Sequence, residues 1–156
     1  METKTLKIEV PKGYEIDKEK STFENIVFKK VDGVEIKWNE CHNGVEIKAD
    51  DEHFILKSSP TYIMSWNDAI RHFYNSKHRS HIWNLPTVKQ LQVIHKYFNE
   101  INKKMEENDG FVLYYSSYWS IEEIDSDNAR YVSMSTGGYY GLIKRAYYYV
   151  RGVVTL

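Results

Sequence analysis

Apolar and polar residues alternate in short bursts through residues 1–58: Leu6, Ile8 and Val10, then Val34, Ile36 and Trp38, then Val45 and Ile47, then Phe54 and Leu56. A period of two belongs to strands with one buried face, so this segment is predicted to be a set of short strands. Gly-Val-Glu-Ile-Lys occurs at 33–37 and again at 44–48, and Asn43-Gly44 between them is a favourable turn pair, which predicts a hairpin. Residues 60–109 change to a helical period. Trp66, Ala69, Ile70, Phe73 and Tyr74 share one face of a helix of about three turns, capped by Ser65. A second helix opens at Leu85-Pro86-Thr87, with Thr87 as N-cap and Gln90 completing a capping box. Leu91, Ile94, Phe98, Ile101 and Met105 form its stripe, and Asn108-Asp109-Gly110 ends it. From Phe111 the period returns to two. Strands are predicted at 111–115, 118–120, 129–134 and 147–154, with a turn at Gly137-Gly138 and a polar loop over 122–128. The expected fold class is α+β: a β-rich segment, 1–58, followed by two helices packed on a twisted antiparallel sheet, 59–156.

Composition narrows the function classes. The 156 residues are 42% hydrophobic and 28% charged, enough to bury a core without covalent staples. Twenty-one Lys and Arg against 22 Asp and Glu leave a net charge of -1, which provides no field for nucleic acid or an anionic membrane. Cys41 is the only cysteine, so neither an intramolecular disulfide nor a cysteine-rich zinc cage can form. The first ten residues carry charges where a secretion signal needs an apolar run, and no later run reaches membrane-spanning length. Expected are a cytoplasmic product as synthesised, with virion association and release by lysis as a route out, and no membrane insertion.

Several local signatures occur in a set order: Ile82-Trp83-Asn84-Leu85-Pro86-Thr87, Gln90-Leu91, Tyr118-Trp119-Ser120, Ala129 with Tyr131-Val132, Gly137, and Tyr149-Val150-Arg151-Gly152-Val153. Across residues 60–156 this order resembles the C-type-lectin-like domains of the Lcl C-terminal group, within the formylglycine-generating-enzyme and sulfatase-modifying-factor superfamily. Its members carry a Trp-Arg-Leu-Pro-Thr opening, a Tyr-Trp-Ser-Ser strand and a closing Val-Arg-Pro-Val. Here Asn84 stands in place of the usual Arg, Ile121 of the second Ser and Gly152 of the Pro. The resemblance implies a C-type-lectin-like fold, and some superfamily members are phage receptor-binding or adhesion proteins with diversified Tyr-rich surfaces. The motif residues themselves read as structural: Pro86 and Thr87 set a helix start, Trp83 and Trp119 organise a core, and Arg151 pairs or caps inside the domain.

Nine of the 13 tyrosines fall between Tyr114 and Tyr149, interleaved with Ser and Gly. Tyrosine gives a large contact area with few torsions to freeze, and Ser and Gly give adaptable hydrogen bonding, which is the composition of a recognition surface. The alternative is a sheet with half-buried tyrosines, since Tyr favours strands. Tyr147-Tyr148-Tyr149 cannot all point inward on a strand, which favours recognition. The expected ligand-binding set is Tyr118, Asn128, Arg130, Tyr139, Tyr140, Lys144 and Tyr147, presented to a bacterial surface protein or glycan. In a second reading the same face is buried in a homo-oligomer, as in a structural component of a virion or surface complex.

Chemistry is not expected. His72, His78 and His81 lie close together, but no cysteine accompanies them and no Glu sits where a metalloprotease helix needs one, so they read as a polar surface loop. Trp66-Asn67-Asp68 resembles the calcium motif of sugar-binding C-type lectins but falls at a helix start, where Asn67 and Asp68 read as capping. Asp125, Asp127 and Asn128 read as a solvated acidic loop, and His95 as an exposed helix residue. Formylglycine-generating oxidation needs a cysteine pair that Cys41 alone cannot supply. No nucleophile elbow, phosphate loop or dinucleotide fingerprint occurs. No catalytic residue, metal or cofactor is assigned.

Overall fold

A computed structural model describes residues 7–22, 24–30, 33–75 and 82–156. The chain is α+β. Strands β1 (Tyr14–Ile16) and β2 (Phe28–Lys30) form a small antiparallel pair. Strands β3 (Glu35–Asn39), β4 (Gly44–Ala49) and β5 (Glu52–Lys57) follow as an antiparallel meander. The predicted hairpin is present, with Asn39 opposite Gly44 and Asn43 at φ 51° in the turn. The next turn uses Asp50 and Asp51 at φ 51° and 65°, the left-handed pair that matches the twist of two-residue hairpins. Residues 7–11, by contrast, form no strand, and Ile8 and Val10 are exposed. Leu6 lies outside the described residues.

Strand β6 (Tyr62–Met64) leads into α1 (Trp66–Asn75), where Ser65 Oγ accepts the Asp68 amide and Trp66, Ala69 and Phe73 are buried. Helix α2 (Val88–Lys96) begins with the expected box: Thr87 Oγ1 accepts the Gln90 amide, and the Gln90 side chain accepts the Thr87 amide. The long stripe read from the sequence is divided at Tyr97, whose φ of -110° and ψ of 28° separate α2 from α3 (Phe98–Glu107). The break redirects the stripe, since α2 packs on β5 and on the five-stranded sheet described below, and α3 on β3 and β4.

Residues 111–114 run as a loop and not as the predicted strand. Their polar backbone is satisfied by side chains instead of a ladder. Asn102 both accepts the Leu113 amide and donates to its carbonyl, while Arg151 takes the carbonyls of Phe111 and Val112. Strands β7 (Ser117–Glu123), β8 (Asn128–Ser133) and β9 (Tyr139–Ile143) then form an antiparallel meander. The single closing strand expected over 147–154 is two strands in two sheets: β10 (Tyr148–Val150) lies between β6 and β7, and β11 (Val153–Thr155) pairs with β5. The larger sheet has the order β6-β10-β7-β8-β9, and the smaller β11-β5-β4-β3.

Two apolar clusters hold these layers. One joins Val45, Ile47, Phe54 and Leu56 of the smaller sheet to Leu91, Ile94, Ile101 and Met105 of the helices and to Tyr118 and Val132 of the larger sheet. Residues on both sides of position 58 thus share one core and, through the β5–β11 pairing, one sheet. The second cluster lies on the other face of the larger sheet, where Trp66, Ala69 and Phe73 of α1 cover Trp119, Ala129 and Val150. Among the described residues no helix is long and apolar enough to cross a membrane.

Candidate functional site

Strand register sorts the tyrosines onto two faces. Trp119 on β7 is opposite Tyr131 on β8, which is opposite Tyr140 on β9. One step along, Tyr149 on β10 is beside Tyr118, which is opposite Val132, which is opposite Tyr139. Neighbouring residues on a strand point to opposite faces, so Tyr139 and Tyr140 cannot belong to one surface.

The Tyr140 face carries a continuous aromatic row. Trp119 and Tyr148 rings lie 5.3 Å apart, Tyr148 and Tyr131 4.6 Å, and Tyr131 and Tyr140 5.6 Å. Trp119 is fully buried and anchors the row by donating its indole N–H to the Met64 carbonyl at 3.1 Å. Burial then falls outward: Tyr131 and Tyr148 are half-buried and Tyr140 is 49% exposed. The Tyr131 phenol is raised above its ordinary value, first by burial, then by hydrogen bonding to Tyr148 and by the nearby Tyr148 and Tyr140 phenols. The row therefore offers ring faces together with a group of neighbouring hydroxyls. Such a platform can hold the apolar face of a ligand and hydrogen-bond its polar edge.

The other predicted residues behave differently: Tyr118, Asn128, Arg130 and Tyr139 lie on the opposite face, and Lys144 lies under α1 on the side of the row. Tyr118 is buried, with its hydroxyl closing a loop by accepting the Tyr114 amide at 2.9 Å and donating to the Tyr114 carbonyl at 3.2 Å. It belongs to the core and is not presented. Lys144 is buried as well: its Nζ donates to Glu123 Oε1 at 2.7 Å and the Ser126 carbonyl at 3.0 Å, and lies 4.7 Å from the centre of the Trp66 ring. It clamps the end of the sheet to α1, where a ligand cannot reach its charge. Asn128 is half-buried, and its amide group donates to Asp125, which also accepts the amides of Asp127 and Asn128. Those backbone bonds hold the Asp125 carboxyl below its ordinary value, so this acidic loop spends its oxygens on its own turn. Arg130 is half-buried with its guanidinium 5.1 Å from the centre of the exposed Tyr139 ring. Tyr147 precedes β10 and is 66% exposed.

Of the seven expected residues, Tyr140 alone stands in the aromatic row, and the partners it needs are Tyr131 and Tyr148. The signal for them was the parity of the strands: Tyr131 shares odd-numbered positions with Ala129, and Tyr148 flanks Tyr149 with opposite orientation. His72 packs against the rings of Tyr62 and Phe73 at 5.9 and 5.1 Å, while His78 and His81 lie outside the described residues. Among the described residues no group of three or more His, Cys, Asp or Glu is placed to hold a metal ion. His95 is half-buried, and its Nδ1 donates to the Met134 carbonyl at 2.8 Å, tying α2 to the turn after β8. No family model matches the chain, and no curated protein matches it in sequence.

Proposed function

We propose that the chain is a non-enzymatic binding module of C-type-lectin-like architecture. Its Tyr131, Tyr140 and Tyr148 face engages a glycan or protein on a bacterial surface, in the manner of a receptor-binding or adhesion domain. The observation that carries the reading is the graded aromatic row, buried at Trp119 and open at Tyr140, with its hydroxyls grouped. Buried anchoring of aromatic side chains lowers the entropy lost on contact, and exposed rings stack on sugar or protein groups. The motif resemblance across residues 60–156 supplies the architecture and the bacterial setting.

Binding of labelled protein to a panel of bacterial cells tests this. Tyr140→Ala is expected to weaken binding by about tenfold, roughly 1.4 kcal/mol, with the melting transition unchanged, because half of that side chain is in solvent. Tyr147→Ala, at an exposed ring outside the row, is expected to leave binding intact. Protease or periodate treatment of the cells separates a protein from a glycan receptor. Equal losses in the two variants, or none in either, would defeat the reading.

A further inference from the structure

Among the described residues, strand β9 ends the larger sheet and is paired on one side only. The Ser133 amide donates to the Gly138 carbonyl at 3.0 Å and the Lys144 amide to the Asp127 carbonyl at 2.8 Å. Residues of an antiparallel strand alternate in which neighbour they face, so Tyr140 and Leu142 bond to β8 while the backbones of Tyr139, Gly141 and Ile143 point outward. Of these outward groups only the Ile143 carbonyl has a partner among the described residues, the Ala146 amide at 3.0 Å. Free edges are ordinarily blunted by charge, proline or a bulge. The edge strand β3 carries Glu35 and Lys37, whereas β9 reads Tyr-Tyr-Gly-Leu-Ile with every position but Leu142 exposed.

We infer that β9 is the dimerisation edge of this protein, pairing antiparallel with β9 of a second copy about a two-fold axis through Gly141. The occupant follows from register and charge. A two-fold at Gly141 sets outward residue against outward residue: Gly141 meets Gly141, and Tyr139 meets Ile143 of the second copy. Every free donor then faces an acceptor, and each flank gains an aromatic to β-branched pair. On that face Ile124 closes over Gly141, where its Cδ1 would stand 2.6 Å from an added Cβ. Ile124, Ile143 and Tyr139, which are 46%, 36% and 51% exposed, thereby form one apolar strip for the second copy to cover. The same axis turns the Arg130 guanidinium, which leans over Tyr139, toward the side of the second copy that carries Asp125 and Asp127. Pairing would carry the larger sheet across the axis and set two Tyr140 rows side by side. It does not depend on what those rows bind.

Sedimentation of the full chain over a wide range of concentration is the test, with circular dichroism on each variant as the check of folding. The wild type is expected to dimerise, Tyr139→Lys and Ile143→Glu each to weaken the dimer by at least about tenfold, and the double variant to recover it, because Lys and Glu then face each other across the axis. A wild type that is monomeric throughout overturns the inference, including one whose edge takes up a foreign peptide strand instead. So does a dimer that the folded single variants leave unchanged, or one that the double variant fails to restore.

Discussion

Arg151 shows how much one residue can hold. It is 2% exposed, and its guanidinium donates to Thr61 Oγ1 from both Nε and Nη2, and to the carbonyls of Lys57, Phe111 and Val112. No carboxylate is among these partners, and burial lowers its pKa to about 10. The charge is carried by fixed dipoles, which only a planar fork with five donors can satisfy together. Lysine at this position has too few donors in the wrong geometry and would leave buried carbonyls unpaired. Arg151→Lys is expected to cost about 3 kcal/mol, or roughly 10 °C in melting temperature, by thermal denaturation. Arg151 was legible as an internal cap from its place in the closing motif. The partners were not, because Lys57, Thr61 and Phe111 lie far from it in sequence. Tyr118 and Lys144 illustrate the same limit: a Tyr amid serines and a Lys beside Arg145 look like surface, and only strand parity and the Trp66 ring send them inward.

At the scale of elements, what local chemistry dictates could be read directly. The Thr87 and Gln90 box, the Asn43 turn and the burial of Leu91, Ile94, Ile101 and Met105 need only neighbours in sequence. Where tertiary contacts decide, the pattern misleads. Nothing local marks the break at Tyr97, and Phe111 to Tyr115 has the composition of a strand but finds its hydrogen bonds in Asn102 and Arg151. Strand β9 was hidden by a central glycine and by the lack of alternation in Tyr-Tyr-Gly-Leu-Ile. The division of the closing strand has its own physical marker. A Cβ at Gly152 would lie 2.8 Å from Phe73 Cε1, so a side chain there would push on Phe73 where the chain crosses from one sheet to the other under α1. Gly152→Ala is expected to cost about 1–3 kcal/mol. In a Phe73→Leu background the same change should cost clearly less, and a double-mutant thermal denaturation cycle measures the difference.

For the molecule as a whole, burial of phenols sets an alkaline limit. Tyr118 is raised above the ordinary 10.0, foremost by burial, and Tyr131 likewise. The folded state keeps these protons after the unfolded chain has begun to lose them. Their contribution is therefore complete below pH 10 and falls as pH rises through the raised values. Denaturant midpoints should be flat up to about pH 9 and then drop, while absorbance at 295 nm shows a group of phenols ionising late or only with unfolding; a simple titration of all tyrosines near about pH 10 would contradict this.

The pairing of β5 with β11 brings Leu56 beside Val153 and Phe54 beside Thr155, about a hundred positions apart along the chain. During translation, a nascent chain that has emerged only as far as Tyr149 still lacks the strand that covers one side of Ile55, however well its helices have formed. Closure of the smaller sheet waits for Val153–Thr155, and a product truncated before them would be left with an open β5 edge for chaperones and proteases to find.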